Sequence, residues 1–303
     1  MKLLNFPEPE FKNTFILQIL LVLVFTAIFC LFYLIIKNHN QGFFAYVLDD
    51  PYIHLTLARN LVDNFTWGIN PDTFSSSSSS PLYTLILSLF YLIFPKNQLH
   101  PLIINYLATI AFIIILYNFL RSVFNQWQSL FLLFAISFVL PLLPLAFTGM
   151  EHIFHLLIIF LFLQEFSQIK DNHQVSTPGN HERKNIYKTP DINLKLIFLS
   201  FISTGFRYES LFFTFIFSFL LMVKHKKFKY ILYFISSLTL PLIYGIISSF
   251  NGWYFLPSSI LIKTTLFSQS PDLSFLSRFL IKLFNNPVLS SLFFLNSMVI
   301  FKN

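Results

Sequence analysis

The feature that most constrains this chain is a series of apolar segments long enough to cross a lipid bilayer. Of its 303 residues, 55% are hydrophobic and only 11% are charged, whereas soluble domains carry about 25% charged residues. A spanning helix needs about 20 apolar residues, and residues 14–36 meet that length. We therefore predict a polytopic membrane protein of the all-α class, a transmembrane helix bundle of about seven to eight spans.

Further apolar runs follow along the whole chain. They cover residues 101–120, 127–147, 152–166, 194–206, 209–223, 230–250 and 275–301. The run 81–94 is too short for an ordinary span, which favours a re-entrant or interfacial helix. No small-residue cleavage site follows the first run, so we expect an uncleaved anchor. Cys30, the single cysteine, lies in that anchor and excludes an intrachain disulfide.

The polar stretches divide a single integral-membrane domain, residues 1–303, into spans and loops. We predict a long external loop over 37–100, with an acidic motif and short amphipathic or re-entrant helices, and a cytoplasmic polar loop over 167–193. The basic cluster 224–229 is also expected in the cytoplasm, because Lys and Arg concentrate there. This topology explains the net charge of +7 better than nucleic-acid binding does, so no nucleic-acid partner is expected.

With that orientation, four polar motifs fall on the non-cytoplasmic side. They lie at residues 49–50, 149–151, 207–209 and 251–274. The agreement requires that 81–94 does not cross the membrane. It also requires that 194–206 and 209–223 form a tight hairpin.

The acidic pair Asp49 and Asp50 directly follows the first span. Asp50 is expected to cap a short amphipathic helix, with Pro51 as its first residue. One carboxylate can act as a general base on an acceptor hydroxyl while the other orients the acceptor or shares the proton. The alternative is a helix cap beside a solvated surface acid. Six serines at 75–80 are either a flexible linker or part of a site.

Glu151 follows Thr148-Gly149-Met150 at a predicted helix start. It is either a second acid facing the cavity of the acidic pair or a charge that compensates the helix dipole. His152 and His155 come next in the chain. We interpret them as interfacial histidines in preference to metal ligands.

Arg207 and Glu209 interrupt about 30 apolar residues, and ionisable groups at membrane depth are candidates for function. They form either a structural ion pair or a site in which Arg207 holds a phosphate. Trp253 and Tyr254 fit an interfacial aromatic belt. Lys263 lies on the predicted non-cytoplasmic side, where a lipid phosphate would explain a cation.

Taken in order, these motifs resemble those of the C-type integral-membrane glycosyltransferases, whose sugar donor is a polyprenyl phosphate. The resemblance runs through most of the chain, and the chain is similar to bacterial envelope arabinofuranosyl- and mannosyltransferases. It rests on Asp49-Asp50-Pro51-Tyr52-Ile53-His54 with Ala58-Arg59-Asn60-Leu61, Ser79-Ser80-Pro81-Leu82-Tyr83, Thr148-Gly149-Met150-Glu151, Arg207-Tyr208-Glu209, and Trp253-Tyr254 with Pro257 and Lys263.

The resemblance implies that Asp49 or Asp50 is the catalytic base and that the anomeric carbon is inverted as the lipid phosphate leaves. It implies that Arg207, Lys263 and Arg59 bind the donor phosphate. On the acceptor side it implies the residues Glu151, Glu209 and His54. A phosphate leaving group is already activated, so a divalent metal is optional and no other cofactor is expected.

The expected partners are the lipid-linked sugar, membrane lipid, and a glycan, lipid or protein acceptor at the cell envelope. The expected location is the bacterial cytoplasmic membrane, with the site facing outward. Two features depart from the family. Arg207-Tyr208-Glu209-Ser210 replaces a frequent Arg-Pro-Glu-Gly, and family members usually continue beyond this length, so we expect a fragment or a minimal form.

Two other functions remain open on the sequence. A transporter or flippase of a lipid-linked or anionic substrate would also place charges in a membrane. Such proteins usually have paired halves with broken helices in matching positions, and this chain shows no internal repeat. An inactive relative that serves as an assembly partner is the other alternative.

Overall fold

All regular structure in the described part of the chain is helical. The computed structural model describes residues 11–169 and 192–261, and the chain divides after Ser258, so that residues up to this point form one compact unit. The helices are α1 Phe11–His39, α2 Asp50–Asn64, α3 Pro81–Ile93, α4 His100–Arg121, α5 Gln126–Val139, α6 Leu142–Phe147, α7 His152–Ser167, α8 Leu194–Phe206, α9 Ser210–His225 and α10 Ile231–Phe250. The prediction of an all-α fold is confirmed.

Three helices are long and apolar enough to cross a membrane. They are Phe15–His39, His100–Arg121 and Phe228–Phe250, the last including a 3₁₀ turn before α10. The other apolar helices are shorter, with 13 to 16 residues. A helix of 13 residues is about 20 Å long, whereas a bilayer core is about 30 Å thick. The predicted run 275–301 and most of the loop 167–193 lie outside the described residues.

The apolar run 127–147 is divided into two helices, where the sequence predicts one. α5 ends at Val139 and α6 begins at Leu142, with Pro141 between them. Proline has no backbone N–H to continue the helical hydrogen bonds and clashes with the preceding turn. Pro241, by contrast, is accommodated inside α10.

α1 exposes apolar side chains around most of its surface, which fits a helix that faces lipid. Helix α2 packs against α3, and α8 packs against both α7 and α10. Their core contains Tyr83, Leu87, Phe162, Leu196 and Tyr233. This core positions the turns that carry the polar motifs.

Buried hydroxyl groups join the later helices. Thr204 of α8 donates a hydrogen bond to the Ser237 carbonyl of α10 at 2.7 Å. Thr214 of α9 donates to the Ser237 hydroxyl at 2.8 Å. Such hydrogen bonds give buried polar groups a partner between helices, where water is scarce. They fix α8, α9 and α10 relative to one another.

The start of α2 differs by one residue from the prediction. Asp49, not Asp50, occupies the cap position, and Asp50 is the first helical residue before Pro51. Asp49 has helical backbone angles of φ −82° and ψ −28° and makes no side-chain cap hydrogen bond. A capping side chain normally requires an extended backbone at that position, so the carboxylate of Asp49 is not used as a cap.

The serine run is packed and is not a free linker. Ser75, Ser76, Ser78 and Ser80 are buried. The Ser75 amide donates to the Trp67 carbonyl at 2.9 Å, and the Ser258 amide donates to the Ser76 carbonyl at 2.8 Å. The run therefore ties α2 and α3 to the segment that follows α10.

Candidate functional site

Three turns bring the sequence-predicted polar motifs together. The start of α2 contributes Asp50, the turn between α6 and α7 contributes Glu151, and the turn between α8 and α9 contributes Arg207 and Glu209. Motifs separated by about 50 to 100 residues in sequence thus meet at one site. The membrane side predicted for these motifs stays a prediction.

Arg207 is the centre of the cluster. Its Nη1 donates to Glu151 Oε1 at 3.3 Å and to His152 Nδ1 at 2.7 Å, while its Nη2 donates to Glu209 Oε1 at 2.7 Å. The Glu151 side chain is 2% exposed and that of Glu209 is 64% exposed. The guanidinium therefore links a buried carboxylate to a solvated one, as the ion-pair interpretation predicts.

The burial of Glu151 decides its charge. Burial raises the pKa of Glu151 to about 7, since the charged carboxylate loses its hydration. The backbone amide of the same residue and the Arg207 charge oppose this rise, whereas the carboxylates of Asp50 and Glu209 add to it. Near neutral pH this residue can therefore take up or release a proton.

Glu209 behaves in the opposite way. Its partial burial raises the pKa of the carboxyl, but the hydrogen bond and charge of Arg207 outweigh that effect, and the net pKa is lowered. The two carboxyl groups on one guanidinium thus separate into a readily protonated buried group and an ionised outer group.

His54 faces Glu151 from α2. It is 1% exposed, and burial lowers its pKa to about 4, so the imidazole is neutral at physiological pH. Its Nδ1 is 2.7 Å from Thr84 Oγ1, and its Nε2 is 3.9 Å from Glu151 Oε2. Thr84 Oγ1 also lies 3.1 Å from Ser78 Oγ, so a buried polar chain runs from the serine segment to His54, which faces Glu151.

The turn before Glu151 is held in one conformation by close packing. Gly149 has φ +70°, and a Cβ there would come within 2.4 Å of Tyr46 Cε1. The Tyr83 hydroxyl donates to the Gly149 carbonyl at 2.9 Å, and the Asn105 amide donates to the Met150 carbonyl at 2.8 Å. Only a glycine fits this backbone position.

Several of these supporting residues were not found from the sequence. Tyr83 lies in a motif that the resemblance includes, but no role followed from it. Tyr46, Thr84 and Asn105 carry no local pattern, because Tyr46 lies in the segment between α1 and α2 and the other two are isolated polar residues in apolar helices. Tyr46 and Asn105 contact the turn and Thr84 contacts His54, and helix packing that the sequence alone does not reveal sets these positions.

The structure separates the two residues of the acidic pair. Asp50 is half-buried and lies near enough to Glu151 to affect its pKa, whereas Asp49 is exposed. Arg59, nine residues after Asp50 on α2, lies on the opposite side of the helix, because nine residues make two and a half turns. It is exposed and interacts with Tyr91 of α3. Lys263 lies outside the described residues.

The histidines of α7 have protein partners. His152 Nδ1 accepts from Arg207, and His155 Nε2 is 2.7 Å from Ser210 Oγ. Within residues 11–169 and 192–261, no group of three or more His, Cys, Asp or Glu side chains has an arrangement that could hold a metal ion. Trp253 and Tyr254 are 40% and 74% exposed, as residues of an interfacial belt would be.

An apolar cavity of about 290 Å³ adjoins the α8–α9 turn. Gly205 and Tyr208, on either side of Arg207, line it together with α3 and α10. Trp67 also lines the cavity and donates a hydrogen bond to the Tyr244 hydroxyl at 3.2 Å. The polar cluster and the apolar cavity therefore share one short segment of backbone.

Comparisons with known proteins leave the family open. No family model matches the chain, and no curated protein or solved structure matches it.

Proposed function

We propose that this chain is a membrane glycosyltransferase that moves a sugar from a polyprenyl-phosphate carrier to an acceptor hydroxyl. The observation that carries the proposal is the meeting of Asp50, Glu151 and Arg207 beside an apolar cavity. This combination supplies an acid for proton transfer, a cation for phosphate and an apolar surface for a lipid chain. The motifs that resemble the C-type glycosyltransferases support the same conclusion.

The proposed topology has seven to eight spans. It counts α1, α4, α5 with α6, α7, α8, α9 and α10 as spans, and α3 as a re-entrant helix. The run 275–301 would add an eighth. With the basic cluster 224–229 in the cytoplasm, the polar cluster faces the outside of a bacterial cytoplasmic membrane, where a glycan, lipid or protein acceptor is available.

In the proposed reaction, Asp50 is the general base. The acceptor O–H bond breaks as its proton passes to the Asp50 carboxylate, and the acceptor oxygen forms a bond to the anomeric carbon. The bond from that carbon to the phosphate oxygen breaks, and the lipid phosphate leaves with the electron pair. Attack opposite the leaving group inverts the anomeric carbon. Asp50 is favoured over Asp49 because it faces the cluster.

Arg207 is the proposed partner of the leaving phosphate. A guanidinium matches two phosphate oxygens, and stabilising the charge that develops there lowers the barrier. Arg207 already contacts Glu209, whose side chain is 64% exposed. A bound phosphate would replace Glu209, which can turn into solvent. Arg59 lies away from this cluster, so its proposed role with the phosphate has less support.

The cavity supports a lipid-linked donor. Its wall is almost entirely apolar, and Gly205 and Tyr208 place it beside Arg207. Burying each methylene of a polyprenyl chain stabilises the complex by about 0.8 kcal/mol. A donor with its phosphate at Arg207 and its first isoprene units in the cavity would satisfy both surfaces.

The test is a transfer assay in membranes with a panel of polyprenyl-phosphate sugars. Wild type is compared with a variant carrying both Asp49→Asn and Asp50→Asn, and Asp72→Asn, an exposed acid of the same loop, is the matched control. Transfer by wild type and the control but not by the double variant supports the proposal. If no donor in the panel supports transfer although the protein is inserted and folded, the result would favour a non-catalytic assembly partner.

A further inference from the structure

Glu151 and His54 enclose a gap that direct contact does not close. Glu151 Oε2 is buried and has no hydrogen-bond partner among the described residues. The facing atom, His54 Nε2, is 3.9 Å away, which is too long for a hydrogen bond. A buried carboxylate oxygen without a partner is costly, so a small polar ligand between Glu151 Oε2 and His54 Nε2 would stabilise this arrangement.

The chemistry of the gap specifies a group that both donates and accepts. A neutral imidazole presents either a lone pair or an N–H at Nε2, and a carboxyl group presents either a lone pair or an O–H. Thr84 bonds the other ring nitrogen at 2.7 Å and holds the ring in place. An oxygen about 2.8 Å from both atoms would lie about 2 Å to one side of the line that joins them.

We propose that His54 and Glu151 bind one water molecule in this gap, and that the proton shared through it leaves the Arg207 guanidinium able to bind an anionic group. When Glu151 is protonated, Arg207 is balanced by Glu209 alone. When Glu151 is ionised, two carboxylates neutralise the same guanidinium at 3.3 Å and 2.7 Å. Binding of an anion and retention of the proton therefore favour one another.

Titratable groups from several elements surround Glu151. The titratable groups are Asp50 and His54 of α2, Tyr83 of α3, His152 of α7, Arg207 of the α8–α9 turn and Glu209 at the start of α9. Together with Glu151 itself, the cluster has three acidic residues and one arginine, so retaining a proton on Glu151 reduces the repulsion within the cluster. Since burial raises the pKa of Glu151 to about 7, the exchange takes place near physiological pH.

The water site does not depend on the proposed transferase activity, although the role of the anion rests on it. Infrared difference spectra of the purified protein between about pH 6 and about pH 8 report the carbonyl stretch of a protonated buried carboxyl. Repeating them in water labelled with ¹⁸O identifies the stretch of an internal water. We expect both bands in wild type.

The variants assign these bands to the two residues. Glu151→Gln is expected to remove the carboxyl band. His54→Asn retains an amide near the Nδ1 position but nothing at Nε2, and is expected to remove the water band. His54→Gln, whose amide reaches the Nε2 position, is expected to restore it. Glu165→Gln, at the far end of α7 and paired with Lys195, is the matched control that retains both bands.

Anion binding is measured separately with farnesyl monophosphate, which carries no sugar to transfer. Farnesyl monophosphate itself loses a second proton at about pH 6, so Glu151→Gln reports the pH dependence that belongs to the ligand. From about pH 6 to about pH 8, affinity in wild type is expected to fall relative to affinity in Glu151→Gln. Water bands that are unchanged in His54→Asn would overturn the proposed site. The same pH dependence of affinity in wild type and in Glu151→Gln would overturn its control of Arg207, and neither result depends on glycosyl transfer.

Discussion

Glu151 and His54 face each other across 3.9 Å, and each side chain is only 2% exposed. Burial shifts their protonation in opposite directions, raising the pKa of Glu151 to about 7 and lowering that of His54 to about 4. In both cases the neutral form is favoured, because charge is poorly solvated there. The pair can therefore remain neutral without a full ion pair in the interior.

The first prediction concerns how stability depends on pH. Above about pH 4.5 the unfolded chain loses the Glu151 proton that the folded chain retains. The contribution of Glu151 to the free energy of unfolding therefore falls as pH rises from 4.5 to 7. Below about pH 6.5 the unfolded chain binds a His54 proton that the folded chain lacks. The contribution of His54 to the free energy of unfolding therefore rises as pH rises from 4 to 6.5. Each effect totals about 3 kcal/mol. We expect them to cancel between about pH 4.5 and 6.5.

Single variants separate the two effects. Glu151→Gln leaves the His54 effect, so its apparent melting temperature in detergent should rise with pH over that range relative to wild type. His54→Asn leaves the Glu151 effect, so its melting temperature should fall. The double variant should again be flat, which controls for every other titrating group. Parallel profiles for all four proteins would show that burial does not shift these two groups.

The second prediction concerns the turn before Glu151. Gly149→Ala combines a positive φ with a Cβ 2.4 Å from Tyr46 Cε1. Strain of this kind costs about 1 to 3 kcal/mol, with the clash adding to it. Gly252→Ala is the matched control, because Gly252 has φ +77° but no atom within 4 Å of the added Cβ. Thermal unfolding should show a larger loss of stability for Gly149→Ala than for Gly252→Ala.

Removing the tyrosine ring tests the cause of that difference. In a Tyr46→Ala background, Gly149→Ala should cost about as much as Gly252→Ala, because only the backbone strain remains. An equal cost for Gly149→Ala in both backgrounds would show that the ring does not constrain the turn.

The helical fold could be predicted from the sequence because apolar runs determine helices in a membrane. Most helix limits agree within a few residues, as for residues 194–206 and α8. The break at Pro141 was missed because the surrounding residues are uniformly apolar, and Pro241 shows that a proline inside an apolar run does not always end a helix. Whether the serine run packs or forms a flexible linker could not be decided from the sequence, because serine is common both in linkers and in close helix contacts.

The candidate site was predicted in part. Ionisable residues between apolar runs are so rare that Asp50, Glu151, Arg207 and Glu209 could be identified individually, and charge-based topology placed them on one face. Their contacts could not be predicted. Whether Arg207 would meet Glu209 alone or also Glu151 depends on how the α6–α7 and α8–α9 turns approach, which is set by distant packing.

The third prediction concerns the apolar cavity beside Arg207. Ile243 and Ile246 of α10 are both 49% exposed, but only Ile243 lines the cavity. Ile243→Trp should fill part of the 290 Å³ space and weaken the binding of long-chain phosphates. Ile246→Trp adds the same side chain outside the cavity and should have little effect. Competition with farnesyl and shorter isoprenyl phosphates measures the difference.

The dependence on chain length is the decisive comparison. Filling the cavity should weaken the binding of a longer isoprenyl chain more than that of a shorter one, because more methylenes lose their contacts at about 0.8 kcal/mol each. Equal losses for short and long phosphates would place the lipid chain elsewhere.

The fourth prediction separates the adjacent aspartates. Asp50 is half-buried and raises the pKa of Glu151, whereas Asp49 is exposed and makes no cap hydrogen bond. If Asp50 is the base, Asp50→Asn should lower the rate of transfer by about 10² to 10⁴-fold, while Asp49→Asn retains most of it. The measurement is the initial rate at saturating donor, with insertion and melting temperature checked for each variant. Comparable losses in both variants would mean that the pair shares the proton, and a larger loss in Asp49→Asn would assign the base to the exposed residue.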